Sequence, residues 1–258
     1  RQMCIRDRYE VMHAFDNTLN LFPMFLGCVA GVKVRISESI SKGDKNEKKT
    51  LIKYILRPFS HWFTNCYMAN SIDCGIWQFG KKTYDRGKVN IFKTVIDANA
   101  NAFNAKLRED TRKEFGWENK IVYGFIGRYV PQKNPLFLID IFNEIAKKQE
   151  NAILVMIGFG ELENEMHDRI ESYGVTDKVI DLGRRDDIKQ FYNAFDAFLL
   201  PSLYEGMPVV GIEAQCSGLP IFFSKNITEE TTASELAYYI GLELSLIHIS
   251  EPTRPISI

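Results

Sequence analysis

The sequence predicts an α/β protein with a complete or nearly complete Rossmann-like lobe in its C-terminal half, preceded by part of a second lobe of the same kind. Three observations lead there. From Lys120 onward, short apolar runs alternate with amphipathic stretches, the pattern of a parallel sheet with crossover helices. Upstream, the same alternation is present but less regular. A length of 258 residues, 45% hydrophobic and 25% charged, provides for one large domain or two small ones and excludes a disordered chain.

Taken in order, KIVYGFI (120–126) reads as a buried strand. The stretch 135–149 opens on Pro135 and repeats apolar residues at Leu138, Ile141, Phe142 and Ile145, the i, i+3, i+4, i+7 stripe of a helix. AILVMI (152–157) is the next strand, 161–173 a polar surface helix, 178–181 a strand, 186–194 a helix and 196–202 a strand. Residues 208–218 read as a helix closed by Gly218, followed by the strand LPIFF at 219–223. In the front part the strand candidates are 10–13, 32–36, 66–69 and 89–95, with helices around 17–30, 50–64 and 72–80. The expected domains are 9–100, a partial N-terminal lobe and link, and 101–244, the C-terminal lobe. Residues 1–8 and 245–258 follow neither structural period and read as non-native sequence, in which case the natural protein is longer; frayed real termini are the alternative.

Charge and cysteine usage narrow the function. With 32 Lys plus Arg against 33 Asp plus Glu, no global field gathers nucleic acid or an anionic membrane, so any anion site is local. Cysteines 4, 28, 66, 74 and 216 are odd in number and form no close pair, which argues against a disulfide framework and for a reducing, cytoplasmic setting. Histidines 13, 61, 167 and 248 are scattered, and no metal motif is evident. The stretch 48–63 combines Lys53 and Arg57 with Leu51, Ile52, Ile55, Leu56, Phe59, Trp62 and Phe63. A helix lying on a membrane surface would have that composition, but a helix buried in the lobe is the favoured reading.

Two segments carry the candidate chemistry. In GRYVPQKN (127–134), Gly127 permits a sharp turn after a strand, while Arg128 and Lys133 bring two cations to the carboxyl end of the sheet, a pair suited to a diphosphate. A solvated basic loop is the alternative. In YEGMPVVGIEAQ (204–215), the backbone N–H groups of Gly206, Met207 and Val209 surround a helix start at Pro208, an anion site flanked by Glu205 and Glu213. Carboxylates beside a bound anion suit sugar or ribose hydroxyls, while the competing reading has Glu205 capping the helix and Glu213 solvated. A glycine turn at GFGE (158–161), with Gly158 after its strand, could also open on a phosphate, but it lacks the third glycine of a dinucleotide fingerprint. In LGRRDD (182–187), a base-lining role for Leu182 and Arg184 stands beside helix capping by Asp186.

Together, GRYVPQKN, VMIGFGELE and the run 179–224 resemble the donor-binding lobe of GT-B glycosyltransferases of the group-1, or family 4, retaining type. The spacing of Glu205 and Glu213 matches that family's E-x7-E motif. Upstream, YEVMHAFDN, GVKVRI and ANSIDCGIWQFGKK resemble the acceptor lobe of bacterial exopolysaccharide and capsule transferases. The resemblance implies a GT-B fold and sugar transfer with retention from a nucleoside-diphosphate sugar, UDP in preference to GDP, to a glycan or lipid-linked acceptor. It implies that Arg128 and Lys133 bind the diphosphate, Glu213 the ribose, Glu205 the donor sugar, and 206–209 the phosphate and sugar through amides. Leu182 and Arg184 would line the base, and His13 would approach the donor from the acceptor lobe. No cofactor or obligatory metal is implied. The protein would work in the cytoplasm, with peripheral contact to the inner membrane face as a further expectation. Three departures stand out: 95–103 replaces the family's Asn-Gly-Ile-Asp turn, and neither the glycine-rich first loop nor the C-terminal helix that crosses back is read in this sequence. A sugar-nucleotide epimerase of the same architecture and a non-catalytic nucleotide-binding fragment are the competing readings.

Overall fold

The computed structural model describes residues 9–42 and 50–243; the two end segments read as non-native lie outside the described residues. The chain divides into two units, Arg1–Val95 with Tyr204–Met207, and Ile96–Leu203 with Pro208–Ile258. The division comes ahead of the 100/101 boundary expected from sequence. Asn104, within the second unit, donates its backbone N–H to Asn193 Oδ1 at 2.7 Å.

The second unit is built on a six-stranded parallel sheet. Its strands are β5 (Ile121–Ile126), β6 (Ala152–Ile157), β7 (Val179–Asp181), β8 (Ala197–Leu200), β9 (Ile221–Ser224) and β10 (Ala237–Ile240), in the spatial order β10-β9-β8-β5-β6-β7. Every residue of β6 and β8 is buried, as expected for parallel strands covered on both faces. The intervening helices are α6 (Pro135–Lys148), α7 (Glu163–Tyr173), α8 (Ile188–Ala194) and α9 (Val209–Cys216). On α6 the stripe read from sequence, Leu138, Ile141, Phe142 and Ile145, is the buried one. Helix α7 buries only Met166 and Ile170, so its polar residues remain outside.

Two elements of this unit had no sequence signal. Helix α5 (Ala105–Glu114) begins where the Asn104 side chain accepts a hydrogen bond from Leu107 N at 3.0 Å. Its sequence, AKLREDTRKE, has almost no apolar stripe, and it is docked instead by Arg108 and Arg112, which pair with Asp196. Strand β10 is four residues long and is held by stacking of Tyr238 and Tyr239 on Phe222 and Phe223, each at 5.3 Å between ring centroids.

The first unit has a four-stranded parallel sheet in chain order, β1 (Val11–Ala14), β2 (Val34–Ser39), β3 (Cys66–Ala69) and β4 (Val89–Ile91). Its helices are α1 (Leu21–Val29), α2 (Thr50–Leu56), α3 (Ile72–Phe79) and α4 (Lys81–Asp85). Side chains in the interior are largely polar: Asn20 Nδ2 donates to Ala14 O at 3.0 Å and to Ser37 Oγ at 2.9 Å, and Gln78 Nε2 to Asn17 O at 3.1 Å. Strand β4 stops at Ile91, short of the expected 95, leaving Phe92 and Val95 exposed.

The helix expected over 50–64 is corrected twice. It ends at Leu56 and passes into a 3-10 turn, Arg57–Phe59, because Pro58 has no N–H to continue the ladder. Its orientation also differs from the buried-helix reading. Tyr54 and Arg57 face inward onto Trp77, at 6.1 and 5.8 Å, while Leu51, Ile52, Ile55, Phe59 and Trp62 are exposed. Among the described residues no helix is long and apolar enough to cross a membrane, and Cys28, Cys66 and Cys216 are free thiols.

His61 follows this turn with its Nδ1 buried and without a hydrogen-bond partner, and burial holds its pKa below the ordinary 6.5. The folded state resists its protonation, whereas the unfolded chain protonates it below about pH 6.5. Its contribution is therefore present above that pH and lost as pH falls through the lowered folded value. The thermal midpoint of His61→Gln is expected to fall less than that of the parent between pH 7.5 and 5.5. Parallel curves would contradict this.

Candidate functional site

In the second unit β5 and β8 are neighbours in space but far apart in sequence. The chain leaves β5 towards β6 and β7, then returns to the other side of β5 as β8. Loops diverge at that point, and open α/β sheets bind ligands in the resulting crevice at the carboxyl ends of the strands. The loop after β5 is 127–134, and the loop after β8 begins at Pro201. Leu203 N donates to Gln132 O at 2.8 Å and Asn134 Nδ2 to Pro201 O at 3.3 Å, which fixes the two loops together. Asn134 adopts a left-handed conformation, φ 55°, that turns the chain into α6.

The loops after β6 and β7 complete a rigid floor. Gly127 N donates to Ile157 O at 3.0 Å, Tyr129 N to Phe159 O at 2.8 Å, and Gly158 N to Gly183 O at 2.9 Å. Tyr129 is fully buried, and its hydroxyl donates to Asp181 Oδ1 at 2.8 Å, the same oxygen that accepts from Gly183 N at 2.9 Å. Burial first, and the Asp181 carboxylate second, push the Tyr129 hydroxyl far above its ordinary pKa, so it stays a proton donor. Tyr129 was not singled out from the sequence, although it lies inside GRYVPQKN.

These bonds revise the reading of Gly158. Its amide is spent on Gly183 and so is not presented to a phosphate. What the position needs is the absence of a side chain, because a Cβ there would stand 1.9 Å from the Gly127 carbonyl oxygen. The capping reading of Asp186 is also corrected: Asp187 precedes α8, and its carboxylate forms an ion pair with Arg185 at 2.5 Å instead of capping the helix.

Arg128 is exposed at the start of the first loop and Lys133 is half-buried near its end, its Cδ 3.7 Å from the site of a Cβ on Gly127. Leu182 is half-buried against the core. Arg184 is exposed, with its guanidinium 5.9 Å from the centroid of the Phe159 ring, itself 50% exposed. Pro208 is the N-cap of α9 with extended backbone, so the helix begins at Val209, one residue later than read. Glu213 lies in the second turn of α9, half-buried, where Tyr192 donates to its Oε2 at 2.9 Å. Burial and the Glu213 charge push the Tyr192 hydroxyl well above its usual range, so it holds the carboxylate as a permanent donor. Glu213 is thereby oriented by a residue on another helix, which no local pattern signals.

Tyr204–Met207 group with the first unit. Glu205 is buried, and a Cβ on Gly206 would stand 2.0 Å from the Ile40 carbonyl oxygen, so only glycine fits this approach. His13, at the carboxyl end of β1, pairs through Nε2 with Glu38 Oε2 at 2.8 Å and meets Phe15 edge-on at 4.8 Å. The structure thus brings Arg128, Lys133, Leu182, Arg184, Pro208, Val209 and Glu213 into the second unit, and His13, Glu205, Gly206 and Met207 into the first.

Comparison with known proteins shows what this chain is similar to. Residues 108–232 match the family model described as glycosyl transferases group 1. The putative glycosyltransferase EpsF of Bacillus subtilis is 29% identical over 248 residues, covering 95% of this chain and 63% of its own length. The UDP-Gal:alpha-D-GlcNAc-diphosphoundecaprenol alpha-1,3-galactosyltransferase of Escherichia coli is 25% identical over 228 residues, or 85% of this chain and 58% of that protein. This chain therefore spans about three fifths of those relatives. Among solved structures, Anabaena HepE in complex with UDP and glucose superposes with a TM-score of 0.78 at 17% identity, over 95% of this chain and 67% of that one, a likeness of fold. Residues 108–232 thus resemble the group 1 glycosyltransferases, the two sheets match a GT-B fold, and the chain is similar to part of the length of such transferases.

Proposed function

We propose that this chain is the donor-binding lobe, with part of the acceptor lobe, of a retaining glycosyltransferase. The enzyme would move a sugar from a UDP-sugar to a glycan or lipid-linked acceptor in cell-surface polysaccharide synthesis, at the cytoplasmic face of the membrane. The observation that carries this reading is the locked pair of loops at the β5/β8 divergence, where Arg128 and Lys133 meet the carboxyl ends of the strands. In this reading their charges, with the amino end of α9, offset the charge that develops on the leaving diphosphate. Glu213, held by Tyr192, accepts hydrogen bonds from the ribose, and Glu205 orients the donor sugar. In the same reading His13 acts on the donor sugar. The acceptor oxygen bonds to the anomeric carbon as the bond to the diphosphate breaks, and the acceptor's proton passes to the leaving phosphate oxygen. No protein nucleophile and no metal are needed on this route.

A thermal-unfolding titration with UDP, GDP and NAD tests the reading. Ligand at about 100 times its dissociation constant adds roughly 2.7 kcal/mol of stability. A shift with UDP is expected, and Glu213→Ala and Lys133→Ala should each weaken binding by about 1–3 kcal/mol, roughly 5- to 150-fold in affinity. A shift with NAD alone, or unchanged UDP affinity in both variants, would overturn the assignment.

A further inference from the structure

We propose that Tyr129 is a positioning residue for base selection: its hydroxyl, through Asp181, fixes the turn 182–184 after β7 against the loop that carries Arg128, so that the site separates uracil from cytosine, a role that rests on the donor-site reading above. Tyr129 stands beside Arg128 in the loop after β5 and is bonded both to the loop after β6 and to the end of β7. Its N–H donates to Phe159 O at 2.8 Å, its carbonyl accepts from Leu162 N at 3.1 Å, and its hydroxyl donates to Asp181 Oδ1 at 2.8 Å. The ring is fully buried and stacks on Phe125 of β5 at 6.4 Å between centroids.

The core needs this ring but not its hydroxyl. A phenylalanine would fill the same space, and a buried hydroxyl costs stability unless it is bonded. Here the bond goes to an exposed carboxylate, whose same oxygen accepts from Gly183 N at 2.9 Å. Gly183, with φ +60°, makes the turn, and its carbonyl accepts from Gly158 N at 2.9 Å, while Leu182 N donates to Met156 O at 2.9 Å. The turn is therefore held from β6 on one side and from Tyr129 on the other, and Arg184 leaves it with its guanidinium 5.9 Å from the Phe159 ring centroid. What the hydroxyl adds is the placement of this turn relative to Arg128. Uracil and cytosine share size and shape and differ in donors and acceptors along one edge, so a site separates them only with hydrogen-bonding groups that are held in place.

The test is calorimetric titration of the full chain with UDP and with CDP, which share the ribose and the diphosphate. The parent is expected to prefer UDP. Tyr129→Phe should lower UDP affinity by about fivefold or more and CDP affinity by less than about twofold, so that the preference collapses. Asp181→Ala, which removes the same tie at an exposed position, should do likewise, and Asp181→Asn, which keeps an oxygen acceptor for both bonds, should retain most of the preference. Should Tyr129→Phe fail to fold, the two Asp181 variants carry the comparison. An equal loss of affinity for both nucleotides is what a merely structural residue would give, and it overturns the role. So does a UDP-to-CDP ratio unchanged in the variants, or a parent that binds both nucleotides equally. A parent that binds neither would instead overturn the donor-site reading itself, and this role with it.

Discussion

Asp196→Ala is expected to destabilise the second unit by about 3–5 kcal/mol, the loss typical of removing one partner from a buried ion network. Asp196 lies at the start of β8 with its side chain 15% exposed, and it serves three groups. Its Oδ1 accepts from Arg108 Nη2 at 2.5 Å; its Oδ2 accepts from Arg112 Nη1 at 3.1 Å and from Val122 N at 2.8 Å. Without the carboxylate, both guanidinium groups, 23 and 10% exposed, would retain only backbone carbonyls, those of 193–195 for Arg108 and those of Ala194, Trp117 and Lys120 for Arg112. The carbonyls satisfy hydrogen bonds but do not balance two charges. Helix α5 would then lose the anchor that its weak apolar stripe cannot replace, and Val122 N, near the start of β5, would lose its acceptor. Urea unfolding of the full chain reads the effect. Asp196→Asn, which keeps a carbonyl acceptor, should be affected less, and a loss below about 1 kcal/mol in Asp196→Ala would show that the carbonyls suffice.

Gly158→Ala is expected to cost about 3 kcal/mol and to remove the thermal response to UDP. The added Cβ would stand 1.9 Å from the Gly127 carbonyl oxygen and 2.9 Å from Tyr129 Cε1. Neither neighbour is free to retreat. Gly127 N is bonded to Ile157 O at 3.0 Å, Gly158 N to Gly183 O at 2.9 Å, and the Tyr129 hydroxyl to Asp181 at 2.8 Å. Relief therefore means separating the loops after β5 and β6, which moves Arg128 and Lys133 from the divergence between β5 and β8. Gly174→Ala provides the contrast. Gly174 closes α7 with φ +66° and open space around it, so a side chain there should cost about 1 kcal/mol of backbone strain and leave the UDP response intact. Equal UDP shifts in parent and Gly158→Ala would show that the three-loop floor does not position the site.

Local chemistry made much of this molecule legible beforehand. The buried strands β5 and β6 are continuous apolar runs, α6 has a clean stripe and a leading proline, and Gly218 marks the end of α9, so periodicity and turn residues sufficed there. Candidate site residues were legible for the same reason, since the loops that follow strands in a parallel sheet reach its ligand-binding edge whatever the details of packing.

What escaped depends on partners distant in sequence. Helix α5 is specified by an aspartate more than eighty residues away, and no window of ten residues contains that information. The orientation of Glu213 comes from Tyr192 on another helix, and the packing role of Gly158 from a carbonyl on a neighbouring loop. The outward face of α2 is the clearest case. Its residues state that one face is apolar and that cations accompany it, but which face meets the protein is decided by Trp77 on α3, and that choice turns a helix read as core into an exposed apolar surface. Sequence fixes what each segment can bury, because hydrophobicity and backbone preference are local; tertiary structure decides what it does bury, because burial requires a partner.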